Sequence, residues 1–128
     1  MRLLVDTHTF LWLVEGSPKL SATAQTALTD PANELYLSVA SIWELAIKTG
    51  NKKMALSDPL DLFVSKWTAA YQLALLPIEA AHAFGLVGLP DHHRDPFDRI
   101  LIVQGLAEGL TLASVDAKFA PYSVPILW

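Results

Sequence analysis

The chain has 128 residues, 52% of them apolar and 17% charged, which excludes a disordered chain and predicts one domain, residues 1–128, with a substantial core. It contains no cysteine, which excludes disulfides, thiol nucleophiles and cysteine-ligated zinc. The net charge of −4 argues against a broadly basic nucleic-acid surface, but it leaves room for a local basic patch beside a metal-charged site.

Short apolar strands alternate along the chain with segments of helical spacing. The predicted strands are, in order, RLLV from residue 2, ELYL from residue 34, LALLPI from residue 73 and LTLASV from residue 110. The predicted helices are HTFLWLVE, SATAQTALT, SVASIWELAIKTG, PLDLFVSKWTAAYQ, EAAHAFGLV and PFDRILIVQGLAEG. This alternation predicts an α/β fold with a mainly parallel sheet covered by helices on both faces.

The apolar N-terminal segment MRLLVDTHTFLWLVEG does not fit a signal peptide. Asp6, Thr7 and His8 interrupt it, and no small-residue cleavage site follows. No stretch of the chain has the uninterrupted apolar length of a membrane span. We therefore expect a soluble, cytoplasmic protein that makes no contact with a membrane.

Three Asp-Pro pairs precede predicted helices, at Asp30, Asp58 and Asp95. An aspartate cap followed by proline at the first helical position is a favourable helix start. We therefore predict that all three aspartates cap helices and that Asp95 starts the helix beginning at Pro96. Gly109 is placed to end that helix.

Asp98 lies in the first turn of the same predicted helix, on the apolar side marked by Leu101 and Ile102. The polar side of the helix is predicted to run through Gln104 and Glu108. A carboxylate on an apolar face needs a cation, a proton or several hydrogen bonds, so Asp98 is the first sign of a functional site. The simpler alternative is that its charge only favours the helix N-terminus.

Three further acids lie near the ends of predicted strands. Asp6 follows RLLV and Asp116 follows LTLASV, at the strand ends where open parallel sheets bind their ligands, although each could instead cap the next helix. Glu44 lies in the first turns of the helix after ELYL. Pattern alone favours a solvated position for Glu44, paired with Lys48 or sharing a capping box with Ser41.

Together, these acids place four carboxylates near one edge of the sheet: Asp6, Glu44, Asp98 and Asp116. Converging carboxylates repel one another unless a divalent cation neutralises them, and an all-oxygen ligand set favours Mg²⁺ or Mn²⁺ over zinc. Such a centre lowers the pKa of a bound water and stabilises the charge of a phosphodiester under attack. Hydrolysis of a nucleic-acid backbone is the reaction class that this pattern favours.

Five segments together resemble the PIN-domain family, and within it the VapC-like toxin ribonucleases of type II toxin-antitoxin systems. They are LLVDTHTFLWL, SVASIWELAIKTG, HRDPFDRILIVQG, LTLASVDAKFAPY and VPILW, in order along almost the whole chain. The resemblance implies a Rossmann-like α/β/α sandwich and a Mg²⁺- or Mn²⁺-dependent endoribonuclease that hydrolyses RNA with a metal-activated water. It also implies a cognate antitoxin as partner and a homodimer.

The resemblance assigns the catalytic and metal-binding roles to Asp6, Glu44, Asp98 and Asp116. It thereby overrides the solvated position of Glu44, and it leaves Asp95 as a cap or supporting residue. The residues that could support these acids or contact RNA are Thr7, Ser41, Arg94, Asp95, Arg99 and Ser114. Ser114 keeps a hydroxyl where threonine is common in the family.

The four histidines are predicted to lie outside the ligand set. With oxygen ligands available, His8, His92 and His93 are expected on the surface or behind the ligands, and His82 is expected to pack in the core.

Two other functions stay open. An aspartate-based phosphatase could use a similar sheet, but haloacid-dehalogenase-like enzymes place a second aspartate two residues after the first, where this chain has His8. The other alternative is a non-catalytic partner-binding module of the same fold. It predicts no change in thermal stability on adding metal, whereas a nuclease is stabilised by the ion that it binds.

Overall fold

The computed structural model describes residues 1–128 and has the predicted α/β architecture. Its strands are β1 Arg2–Val5, β2 Glu34–Ser38, β3 Leu73–Leu76, β4 Thr111–Ala113 and β5 Ile126–Leu127. They form one sheet in the order β3-β2-β1-β4-β5, and every neighbouring pair is parallel. The carboxyl ends of all five strands therefore meet at the same edge of the sheet.

The helices are α1 Thr7–Glu15, α2 Ala22–Thr29, α3 Val39–Gly50, α4 Leu60–Ala70, α5 Ala80–Gly85 and α6 Pro96–Glu108. A short 3₁₀ helix, Ala117–Phe119, follows β4. Helix α1 begins one residue after β1, and α3 begins directly after β2. None of these helices has both the length and the apolar composition required to cross a membrane.

The central strand β1 is buried on both faces because helices cover the sheet on each side. Leu3 and Val5 point to one face, where they join a cluster that includes Phe10 of α1 and Phe63 of α4. Leu4 points to the opposite face, into a second cluster that includes the α6 side chains Leu101 and Ile102. The alternation of side chains along the strand thus produces a three-layered α/β/α sandwich.

Only one of the three predicted Asp-Pro caps forms. Asp95 caps α6, with Pro96 at its first position. The prediction for Asp30 is wrong because the chain enters β2 four residues later, too soon for a helix, and Asp30 instead ends α2. The prediction for Asp58 is also wrong, since α4 begins after Pro59 without any side-chain cap.

The predicted polar side of α6 is wrong at Gln104, which is completely buried. The Gln104 side chain accepts a hydrogen bond from the Ser38 hydroxyl at 2.6 Å and donates one to the Pro77 carbonyl at 3.1 Å. The buried amide therefore has partners, and it ties α6 to the ends of β2 and β3. Gly109 ends α6 as predicted, in the left-handed conformation with φ of 66°.

Candidate metal centre

Asp6 lies directly after β1 and caps the next helix, as the alternative considered for it predicted. Its Oδ1 atom accepts the Thr9 backbone N–H at 2.8 Å, which caps α1. Its Oδ2 atom accepts a hydrogen bond from the Ser114 hydroxyl at 2.5 Å, across the β1–β4 pair. The side chain is buried, so these bonds fix the direction in which the carboxylate faces the sheet edge.

Glu44 is buried in α3, so the solvated position that its local pattern favours is wrong. The Thr7 hydroxyl donates to Oε1 at 2.7 Å, and Lys48 binds Oε2 at 2.7 Å. The predicted pairing with Lys48 is therefore present, but it neutralises a buried carboxylate. The capping box with Ser41 does not form, because Ser38 caps α3 and the buried Ser41 hydroxyl has no hydrogen-bond partner.

Asp116 follows β4 and caps the 3₁₀ helix by accepting the Lys118 backbone N–H at 2.9 Å. Its own backbone N–H donates to the Ser114 hydroxyl at 3.1 Å. Because Ser114 also donates to Asp6, one buried hydroxyl links the acids that follow the neighbouring strands β1 and β4.

Asp98 lies one turn into α6, within reach of the charges of the other acids. Burial, and then the negative charges of nearby carboxylates, raise the pKa of Asp98 from 3.8 to about 7. The contributing carboxylates are those of Asp95, Asp6, Glu44 and Asp116. Carboxylates from four separate parts of the chain thus raise the pKa of one carboxyl group. This agrees with the prediction that acids at the ends of parallel strands lie close together.

His93 lies beside the acids, one of the two positions expected for it, although the sequence did not distinguish this position from the surface. Its ring is buried, and Nε2 lies 3.1 Å from Oδ2 of Asp98 and 3.1 Å from Oδ2 of Asp116. The loop DHHRDP has no period from which burial could be inferred. The one signal in the sequence for its position near Asp98 is that His93 lies two residues before the helix cap Asp95. In the structure, Nδ1 of His93 accepts the backbone N–H of Asp95 at 3.3 Å.

The arginines beside Asp98 occupy different environments. The guanidinium of Arg99 donates to the carbonyls of Leu89, Pro90 and His93, so it holds the loop that precedes α6. Arg94 is exposed and lines a polar cavity of about 400 Å³. The complete lining is His92, His93, Arg94, Asp95, Asp98, Asp116 and Lys118, with no apolar residue.

The donor set of this pocket fits a hard divalent cation. The acids offer carboxylate oxygens, which Mg²⁺ and Mn²⁺ prefer. Carboxylate oxygens of Asp98 and Asp116 lie within 4.8 Å of each other and of a ring nitrogen of His93, so two of the four acids converge on one point. Burial and the repulsion from nearby carboxylates raise the pKa of Asp98, and a bound cation would offset the negative charge that both disfavour.

Fold and pocket together define a Rossmann-like α/β protein with a carboxylate cluster at the carboxyl edge of its sheet. The model of the PIN domain family matches residues 3–124. The chain belongs to the PIN domain family, which confirms the predicted resemblance. No curated protein sequence matches the chain significantly.

Three solved structures share this fold over almost the whole chain. The structure of VapBC2 from Rickettsia felis bound to a promoter DNA fragment has a TM-score of 0.70 at 17% identity, covering 98% of this chain and 96% of that chain. VapBC-1 from nontypeable Haemophilus influenzae has a TM-score of 0.63 at 14% identity, with the same coverage of both chains.

The third structure is VapBC-5 from Mycobacterium tuberculosis, a member of the VapBC family of toxin-antitoxin systems. It has a TM-score of 0.59 at 18% identity and covers 98% of this chain and 96% of that chain. At these identities the three likenesses establish the fold.

Proposed function

We propose that this protein is a divalent-metal-dependent endoribonuclease, acting as the toxin of a type II toxin-antitoxin pair. The observation that carries the proposal is a cluster of carboxylates at the carboxyl edge of the sheet of a PIN domain: Asp98 and Asp116 line one pocket, and the charges of Asp6 and Glu44 act on Asp98. The three similar solved structures, all of VapBC proteins, support the toxin assignment. These four acids would hold Mg²⁺ or Mn²⁺.

The chemistry follows from what the chain's own residues do around that ion. A divalent cation held there would acidify water and offset the negative charge that develops on a phosphodiester under attack. Thr7 and Ser114 hold Glu44 and Asp6 by hydrogen bonds, so that both carboxylates are oriented before substrate arrives. Exposed Arg94 lines the pocket, where its guanidinium could bind an RNA phosphate.

The proposed partners are RNA, a cognate antitoxin and a second copy of the chain, all in the cytoplasm. An exposed apolar groove supports protein binding. It lies beside the acids, since its residues Trp43 and Phe97 directly precede Glu44 and Asp98 in the chain. The groove is lined by Trp43, Ile47, Ile78, Ala83, Leu86, Pro96, Phe97 and Ile100.

RNA cleavage by the purified protein tests the proposed reaction. We expect cleavage with Mg²⁺ or Mn²⁺, none with excess chelator, and none from Asp98→Asn. Asp61→Asn is the matched control, because Asp61 also lies in the first turn of a helix but is exposed and outside the pocket. Cleavage that survives chelation, or equal loss in both variants, would reject the mechanism.

Co-expression tests the toxin role separately from the reaction. We expect production of this protein to arrest growth of a host cell, and the small protein encoded in the adjacent reading frame to restore it. Asp98→Asn should remove the arrest without any antitoxin. Arrest that persists in Asp98→Asn would separate toxicity from the carboxylate pocket and contradict the proposal.

A further inference from the structure

The His93 imidazole lies between two of the four acids, Asp98 and Asp116. The proposed metal site has its own carboxylate ligands and does not need a histidine there. Its Nε2 atom lies 3.1 Å from a carboxylate oxygen of Asp98 and 3.1 Å from one of Asp116. The residue is only 4% exposed, so water competes little for these contacts. One ring nitrogen therefore joins the start of α6 to the turn after β4.

The other ring nitrogen determines where the imidazole proton lies. The backbone N–H of Asp95 points at Nδ1 of His93 at 3.3 Å, and an N–H donor requires a lone pair on the atom that it meets. Nδ1 therefore carries no proton, and Nε2 carries the one proton of the neutral ring. Nε2 then donates a hydrogen bond to Asp116 and lies equally close to Asp98, and it has no free lone pair with which to bind a metal ion.

Contacts that do not involve the acids hold the His93 segment in place. The Tyr122 hydroxyl accepts the backbone N–H groups of His92 at 3.0 Å and His93 at 2.8 Å, and it donates to the Pro90 carbonyl at 2.7 Å. The ring of His93 packs against Phe119, with centroids 5.5 Å apart. The direction of the Nε2–H group is therefore set by the loop and by the core beneath it.

His82 provides an internal comparison, because it uses the same tautomer for a different purpose. Its Nδ1 accepts the Glu79 backbone N–H at 2.9 Å, and its Nε2 lies 2.8 Å from Oε1 of Glu108. His82 thus joins α5 to the last residue of α6, a purely structural contact away from the acidic pocket. His93 differs in meeting two acids at once, and both face the pocket.

We propose that His93 is a positioning residue, whose Nε2–H group holds Asp98 and Asp116 in the orientation that receives a divalent cation. Both contacts use the Oδ2 atoms, so the Oδ1 atom of each carboxylate stays out of the contact. The contacts of Nε2 with both side chains also hold the two acids close together before any ion is bound. This inference rests on the proposed metal centre, within which His93 supports the ligands.

Metal affinity tests this role without measuring catalysis. The full chain is titrated with Mn²⁺ above neutral pH, and the free ion is followed by its EPR signal. His93→Leu should weaken Mn²⁺ binding about 10- to 100-fold, as for other residues that orient metal ligands. His93→Gln should bind nearly as well as the unchanged protein, because its amide nitrogen places a donor near the Nε2 position. His82→Gln serves as the matched control and should leave Mn²⁺ affinity unchanged.

The imidazole ¹⁵N spectrum of the unchanged protein tests the tautomer even if His93→Leu does not fold. We expect an unprotonated Nδ1 and a protonated Nε2, both without metal and with Mg²⁺. Loss of the Nε2 proton on adding Mg²⁺ would make His93 a ligand and overturn the inference. Equal Mn²⁺ affinity in His93→Leu and the unchanged protein would overturn it and leave the metal centre standing, whereas no binding by the unchanged protein would overturn both.

Discussion

Ser114 and Asp6 are separated by 108 positions in the chain, yet the Ser114 hydroxyl donates to the Asp6 carboxylate at 2.5 Å. The parallel pairing of β1 with β4 brings them together, because each residue follows the end of its strand. The same hydroxyl accepts the backbone N–H of Asp116 at 3.1 Å. A single side chain therefore organises two of the four acids.

Replacing Ser114 tests this link. Ser114→Ala leaves buried Asp6 without a hydrogen bond to Oδ2 and should lower the free energy of unfolding by about 1–3 kcal/mol. Ser114→Thr keeps the hydroxyl and should cost less than about 1 kcal/mol. Urea unfolding of the metal-free variants measures both values. An alanine variant as stable as the threonine variant would show that the hydroxyl contributes nothing.

The raised pKa of Asp98 predicts a pH-dependent stability for the metal-free protein. Between the ordinary value of 3.8 and about 7, the folded state holds a proton that the unfolded state has released. The contribution of Asp98 to stability is therefore complete below the lower value and is lost as the pH rises through the upper one. The loss should be on the order of 2 kcal/mol, since part of the carboxyl group remains in contact with water.

Asp98→Asn isolates this contribution, because its amide resembles the protonated acid. In chelator, the variant should become more stable than the unchanged protein as the pH rises from 4 to 7, and the difference should then level off. Saturating Mn²⁺ should reduce or reverse the difference, since a cation stabilises only the carboxylate. Urea unfolding across this pH range measures it, and a difference independent of pH would contradict the account.

The sequence predicts much of the acid cluster, but by a different signal for each acid. Asp6 and Asp116 follow apolar strands, so the general placement of ligands at strand ends predicts where they lie. Asp98 is recognisable because it stands on the apolar side of its helix. Glu44 is not recognisable by pattern, since burial beside Thr7 depends on a contact between residues 37 positions apart, and only the family resemblance assigned it to the site.

The same limit explains the other errors of sequence reasoning. Gln104 looks like a surface residue of α6, because no local pattern reveals that Ser38 and the Pro77 carbonyl will satisfy its buried amide. Strand β5, Ile126–Leu127, is too short to show any period and forms only through its pairing with β4. Short-range spacing predicts elements, whereas these features depend on tertiary contacts.

Lys48 provides a second test of how the charges are balanced. It lies 2.7 Å from Glu44, so Lys48→Met removes the only cation paired with this buried acid and should lower stability by about 1–3 kcal/mol in chelator. Mn²⁺ should restore part of that loss by replacing the missing positive charge. Lys53→Met, at an exposed position, is the control and should change stability little. An equal loss with and without Mn²⁺ would place Lys48 outside the metal site.

Single substitutions should show that Asp95 contributes mainly to stability and Asp98 mainly to Mn²⁺ binding. Asp95→Ala removes the α6 cap and should cost about 1 kcal/mol of stability, whereas Asp95→Asn should keep most of it. Mn²⁺ affinity should fall far more in Asp98→Asn than in Asp95→Asn. Thermal unfolding and Mn²⁺ titration of the variants measure the two effects. If Asp95→Asn lost as much Mn²⁺ affinity as Asp98→Asn, Asp95 would have to be counted among the ligands.

The central claim is that four carboxylates form one divalent metal centre, and anomalous diffraction from crystals containing Mn²⁺ tests it most directly. We expect anomalous density bounded by the side chains of Asp6, Glu44, Asp98 and Asp116, with His93 still in contact with Asp98 and Asp116. Mn²⁺ bound by other residues, while these carboxylates keep only their hydrogen bonds within the chain, would contradict it.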